Sequence, residues 1–340
     1  VVNGMKNDKT LMIEKFLDKG SYVTMINMPK GYGKTSNIRM MSDFFDITKD
    51  SKKLFKGTKI METPYAAEIN QYPTVYLSFT NAFGNRVGVI NCIKDQFKNE
   101  FSRYSFVFDK LDGFKKSRYK HIMRRLENKT SDTLHDIDDS ITFLMDCLKK
   151  YYNKDVMVFI DDYDIPFIAA RIGKFYKDVG NPLYMMFHSA FKTSDGLKYG
   201  LLMGTQNVLI SDALGGGLNN LAISNIEHNE YGEYFEQHDQ ELIDENIKFM
   251  IKEARNDKWI KTSINYLLKD GNIETEIDLY KSYYENKTNA SFWGMLINEG
   301  VLKIIGDKLN KVFSCEYIYK LEFANNKVKE QFIEVINGEN

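Results

Sequence analysis

Across 340 residues, 46 Lys+Arg stand against 47 Asp+Glu, a formal charge of −1. That balance excludes a polybasic nucleic-acid coat and an acidic tail protein, so any anionic partner must be gripped locally. Hydrophobic residues at 43% and charged residues at 27% describe a globular chain of about two domains rather than a disordered one. The longest apolar run, Val156–Ile160, is far short of the ~20 residues that cross a bilayer, so no membrane partner is expected. Cys92, Cys147 and Cys315 are widely spaced with no C-x-x-C pair, and no apolar run follows Met5–Lys9. Both features point to an intracellular protein, cytoplasmic or nuclear.

In chain order, Thr10–Leu17 carries Leu11, Ile13, Phe16 and Leu17 at helical spacing and closes at Gly20. Ser21–Asn27 reads as a strand, a glycine-containing loop follows, and Lys34–Phe45 reads as a helix. Tyr72–Phe79 predicts a second strand; residues 86–104, 115–127 and 137–152 predict helices. Val156–Ile160 is a short continuous apolar run, the pattern of a strand buried on both faces. A helical stretch over 181–193 and a strand over Tyr199–Thr205 complete a strand–helix alternation, which predicts an α/β domain with a largely parallel sheet over residues 1–230. From about Tyr231 the pattern is charged and helical through Lys269, with an acidic patch from Glu236 to Glu245. Residues 291–323 then read as helix, strand, turn and strand. Residues 231–340 are therefore expected to form a helical and winged-helix-like unit.

The loop Met28-Pro29-Lys30-Gly31-Tyr32-Gly33-Lys34-Thr35 ends in G-K-T between a predicted strand and a predicted helix. Glycines let backbone N–H groups turn inward, and the helix N-terminus adds partial positive charge. Lys34 can reach the β- and γ-phosphates, and the Thr35 hydroxyl can ligate Mg²⁺. Lys30, Gly31, Tyr32, Gly33, Lys34 and Thr35 are thus the candidate nucleotide-binding residues, although Met28 stands where a first glycine is usual. Downstream, Val156–Asp161 is an apolar strand that ends in paired carboxylates at the sheet edge where ligands of open α/β sheets bind. Asp161 is the candidate Mg²⁺ support beside Thr35, and Asp162 the candidate group to orient an attacking water. The bland alternative is that both carboxylates only cap the following turn. The strand Gly200–Asn207 ends in polar residues, which makes Thr205, Gln206 and Asn207 candidates for sensing a terminal phosphate. Ordinary strand-end polarity explains them equally well.

Several segments together carry a family resemblance: Asp8-Lys9-Thr10-Leu11, Pro29 with Tyr32-Gly33-Lys34-Thr35, Leu54-Phe55-Lys56-Gly57, and Tyr72-Pro73 leading to Leu77-Ser78-Phe79. Ile160-Asp161-Asp162-Tyr163-Asp164 with Pro166, Gly217–Leu221, Phe292-Trp293 and Lys320-Leu321 continue it in order. The sequence resembles the AAA-ATPase-like family, whose members often carry a C-terminal PD-(D/E)XK nuclease-type domain. The resemblance implies a P-loop fold that binds ATP and Mg²⁺, and it runs to about Phe332 with no D…E-x-K core in view. Three departures stand out. Only Lys30 is basic where relatives carry an arginine-rich loop, Asp162 replaces the usual Glu, and Gln206-Asn207 stand near the place of a sensor arginine. Losing one methylene at position 162 matters, because a positional error near 1 Å can cost ~10²-fold in rate.

Three functions stay open at the level of sequence. The first is an ATPase that binds nucleotide as its partner, with a homo-oligomer as one compatible state. The second is a degenerate relative with a structural or assembly role. The third is a nucleic-acid-associated module resting on the basic run Lys115–Arg125, for which a solvated helix face is the simpler reading.

Overall fold

The computed structural model describes residues 7–209, 220–236, 242–310 and 317–338. Its elements run α1 (Leu11–Lys19), β1 (Val23–Asn27), α2 (Lys34–Phe45), α3 (Lys52–Phe55), β2 (Thr74–Ser78), α4 (Arg86–Arg103), α5 (Gly113–Glu127) and α6 (Ser140–Tyr152). They continue with β3 (Val156–Asp161), α7 (Ile165–Ile172), α8 (Gly180–His188), β4 (Leu197–Gly204) and β5 (Leu221–Ser224). The last group is α9 (Glu245–Ala254), α10 (Lys258–Asp270), β6 (Asn272–Thr275), α11 (Asn289–Asn298), β7 (Leu302–Asn310), β8 (Tyr317–Phe323) and α12 (Asn326–Asn337).

The first five strands form one sheet in the order β2-β3-β4-β1-β5, every neighbouring pair parallel. Alternation along β3 explains why it is central. Val158 and Ile160 face one apolar layer while Met157 and Phe159 face the other, and all six of its residues are buried. The layer with Met157 and Phe159 is filled by α1 and α2 through Met12, Phe16, Phe44 and Phe45. The opposite layer holds α4 to α8. After β1 the chain crosses to the far edge at β2 and steps back through β3 and β4. As a result β4 lies between the strand that precedes the G-K-T loop and the strand that ends in Asp161. The connection from β1 runs one way across the sheet and those after β2 run the other, and beside β1, between these opposed connections, an open α/β sheet leaves a crevice at its carboxyl edge.

The remaining strands form a three-stranded antiparallel sheet, β6-β8-β7, surrounded by α9 to α12. Every residue of α11 from Ser291 to Asn298 is buried. Gly294 is required there, because a Cβ would lie 2.0 Å from the carbonyl oxygen of Asp278. Trp293, Leu296 and Phe332 share one continuous apolar layer with Val158, Ile160 and Phe187, so the two units share a core.

Several elements differ from the sequence pattern. Among the described residues, Tyr231 is followed only by a short 3-10 turn at Gly232–Tyr234, and α9 starts at Glu245, capped by the Asp244 side chain. Tyr231 and Phe235 are instead buried with Met12 and Phe16, and the Asn37 side chain donates to the Tyr234 carbonyl at 2.9 Å, so residues 231–236 pack on the α/β unit. β5 and β6 escape prediction because each has only four residues, with little alternation to reveal them. Helix over 181–193 resolves into α8 and a wider π-type turn at Ser189–Thr193. Cys92 and Cys147 are free thiols, half-buried and buried. Cys315, His238, residues 217–219 and residues 237–241 of the acidic patch lie outside the described residues. Among the described residues, no helix is long and apolar enough to cross a membrane.

Candidate functional site

The loop after β1 is shaped by its glycines. Gly31 and Gly33 take φ of 81° and 74°, the left-handed region that residues with a Cβ avoid. Gly33 is the N-cap of α2 and offers no side-chain acceptor, so the first-turn N–H groups, with the positive end of the helix dipole, are left for an anion. The loop is braced at both ends. Met28 N–H donates to the Gly204 carbonyl at the tip of β4, and Lys30 N–H donates to the Asn298 carbonyl at the end of α11, each at 3.1 Å.

Lys34 is buried, and its ammonium donates to the Met28 and Pro29 carbonyls at 2.8 and 3.0 Å. Burial pushes its pKa down, and the negative charges of Asp162, Asp164, Glu299 and Asp161 oppose that shift. A lysine needs three acceptors and here has two, which leaves one N–H for a further oxygen.

Asp161, the last residue of β3, is fully buried. Its Oδ2 accepts from the Tyr76 hydroxyl at 3.4 Å, which in turn accepts from Arg39 Nε at 3.2 Å, while Oδ1 has no hydrogen-bond partner. Burial and the neighbouring Asp162 raise its pKa to about 6, against the pull of the Thr35 hydroxyl, Lys34 and Arg39. An orphaned carboxylate oxygen in a buried position is the expense a metal would relieve. Mg²⁺ is commonly bound through one or two protein oxygens plus water and phosphate oxygens, and Thr35 with Asp161 matches that donor set. Among the described residues, no group of three or more His, Cys, Asp or Glu side chains is placed to hold a metal.

Asp162 has φ of 51°, a conformation that costs a non-glycine residue roughly 1–2 kcal/mol. Its Oδ2 accepts from the Thr80 hydroxyl at 2.8 Å, which pins the carboxylate beside the end of β2. Asp164 is buried and holds the turn after β4: its Oδ2 accepts from Thr205 N–H at 3.0 Å and from Gln206 N–H at 2.6 Å. Burial and Asp162 raise the Asp164 pKa to about 7. Gly204 makes this contact possible, since a Cβ there would lie 2.7 Å from Asp164 Oδ1 and 2.6 Å from the Tyr163 ring. Asp164→Ala is expected to lose about 2–3 kcal/mol in a urea titration, because two buried N–H groups lose their acceptor. Asp164→Asn keeps a carbonyl for them and cannot ionise, so it should be at least as stable as wild type at pH 8.

The structure therefore gathers Lys34, Thr35, Asp161 and Asp162 at one edge of the sheet, with Gly31, Tyr32 and Gly33 in the loop above. Two sequence candidates have their side chains engaged elsewhere, and Asn207 is engaged through its Oδ1 alone, its buried Nδ2 having no hydrogen-bond partner. Lys30 forms an ion pair with Glu299 at 2.7 Å and another with Asp244. Gln206 Nε2 donates to Glu299 Oε1 at 2.9 Å. Asn207 Oδ1 accepts from Leu209 N–H at 3.4 Å. Glu299 and Asp164 are the residues that sequence reasoning missed. Asp164 was visible only as the last letter of D-D-Y-D, and Glu299 gives no signal, being one acidic residue at the end of an apolar helix.

The basic run on α5 is largely matched by acid. Lys115 pairs with Asp146, Arg118 with Asp139, and Arg125 with Asp136 at 3.7 Å. The Lys116 and Lys120 ammonium groups lie 5.6 and 5.5 Å from the Phe108 ring centroid.

No curated protein matches the chain. A family model described as a predicted AAA-ATPase, of the AAA-ATPase-like type, does match it, over residues 3–213. That span holds the G-K-T loop, all of β1 to β4 and both aspartates, and the chain belongs to this family.

Proposed function

We propose that the protein is a Mg²⁺-dependent, ATP-binding P-loop ATPase of the AAA-like class, with weak hydrolysis. The observation that carries this reading is the buried Lys34 ammonium, one N–H short of a full set, in the same crevice as the orphaned Asp161 oxygen. In this reading Lys34 and the N–H groups of residues 31–35 bind phosphate, and Thr35 and Asp161 hold Mg²⁺. The metal, when bound, offsets phosphate charge. Asp162 orients a water, and its short, Thr80-bound arm reaches less far than a glutamate would, which is why slow turnover is expected.

Calorimetric titration with Mg·ATP tests binding, and phosphate release tests turnover. Saturable micromolar binding is expected, with turnover that falls at least tenfold in Asp162→Asn while affinity stays within about threefold. Absence of binding to both the wild-type chain and Glu299→Gln overturns the reading.

A second reading, a nucleotide-binding relative with a structural role, draws support from Gln206 and Lys30, whose polar ends are given to Glu299. Bound ATP that persists without hydrolysis favours it. The order helix–strand–helix–strand–strand from α10 to β8, with β8 between β6 and β7, supports the winged-helix-like reading of the C-terminal unit. Its α11 would be the second helix of that order, directly before the β7–β8 pair.

A further inference from the structure

Glu299 is 4% exposed and belongs to the C-terminal unit, yet both of its oxygens are directed at the nucleotide crevice. Oε2 lies 2.7 Å from Lys30 Nζ on the G-K-T loop, and Oε1 accepts from Gln206 Nε2 on the turn after β4 at 2.9 Å. The preceding residue repeats the contact through the backbone, since the Asn298 carbonyl accepts from Lys30 N–H at 3.1 Å. Asp244, the cap of α9, supplies a second carboxylate to the same ammonium. Two carboxylates from one unit thus hold the only cationic side chain in the loop ahead of Lys34. The charge on Glu299 also acts on Lys34 itself.

We propose that Glu299 is a positioning residue of the phosphate site, which draws Lys30 toward the C-terminal unit and thereby lowers the affinity for nucleotide phosphates. The inference rests on the nucleotide-site reading above. A phosphate chain bound at Lys34 would compete with Glu299 for Lys30, and it would feel the buried carboxylate as a like charge. Nucleotide binding and docking of the C-terminal unit then oppose each other by the same factor in either direction. Gln206, held by the same carboxylate, would be released together with Lys30.

The test measures Mg·ATP affinity of the full chain for wild type, Glu299→Gln, Lys30→Met and the double variant. Glu299→Gln should tighten binding by roughly tenfold, within the range usual for coupled sites. The gain should vanish when Lys30→Met is added, a dependence that a merely structural role does not produce. Asp244→Asn, on a partly exposed partner, should tighten binding by a smaller factor and carries the test if Glu299→Gln fails to fold. Binding to wild type that is unchanged or weaker in both Glu299→Gln and Asp244→Asn overturns this inference and leaves the nucleotide reading intact. Binding that appears only in the variants supports it. No binding to any of these proteins overturns the nucleotide reading, and this inference with it.

Discussion

Lys34→Met is expected to raise the dissociation constant for Mg·ATP at least ~30-fold and to lower stability at the same time. Burial pushes the ammonium's pKa down, and four carboxylates, Asp161, Asp162, Asp164 and Glu299, oppose that shift. Removing it leaves the Met28 and Pro29 carbonyls without their donor and those carboxylates without their nearest cation. Breaking a buried, hydrogen-bonded charge cluster of this kind costs about 3–5 kcal/mol. A phosphate chain would lose the only buried ammonium in the loop, a charge-assisted contact whose truncation costs 2–5 kcal/mol or more, about thirtyfold to several thousandfold. Titration calorimetry reads the affinity, and a urea midpoint reads the stability. An affinity within threefold of wild type in a folded variant would remove Lys34 from the site.

Asp161→Asn is expected to act in opposite directions on stability and binding. Its carboxyl is raised to about 6, so the folded chain keeps a proton there that the unfolded chain has already released. The sign follows from linkage: stability is greatest below about pH 4 for this group and falls as pH rises through 6, because the folded state binds more protons in that window. An amide cannot ionise and avoids that loss. At pH 8 the variant should be about 1–3 kcal/mol more stable than wild type, roughly 1.5–4 °C in melting temperature. Below about pH 4 the difference should vanish, and in the variant Mg²⁺ should no longer raise the affinity for ATP. A wild-type melting temperature equal to or above that of the variant at pH 8 contradicts the picture of an uncompensated buried charge.

The parts legible in the sequence were those in which the signal is local. G-K-T between a strand and a helix, and an apolar run that ends in two aspartates, each announce themselves within eight residues, and both sit at the carboxyl edge of the five-stranded parallel sheet. The helix expected over 137–152 begins at Ser140, and the strand over 199–205 covers Leu197–Gly204. What the sequence hid depends on contacts between distant segments. Tyr231 looks like the start of a charged helix until it is seen buried against α1. β5 has four residues and owes its place to pairing with β1, not to its own pattern. Lys30 reads as the loop's extra phosphate cation only while Glu299 is unseen, and no periodicity links a loop lysine to the end of a helix in the other unit. Gln206 is subject to the same limit, since its polarity is plain but its acceptor lies on α11.

The bond between Lys30 and Glu299 also has a consequence for biosynthesis. The partners are about 270 residues apart, and at the usual ~5–20 residues per second of translation, roughly 15–50 s separate their synthesis. In the last part of that interval, once β4 has been made, β1, β3 and β4 can form a sheet, and the G-K-T loop can close on Lys34, with Lys30 still free of its acidic partners. A nascent chain would therefore meet cellular ATP with its loop lysine uncommitted, and the finished chain would not.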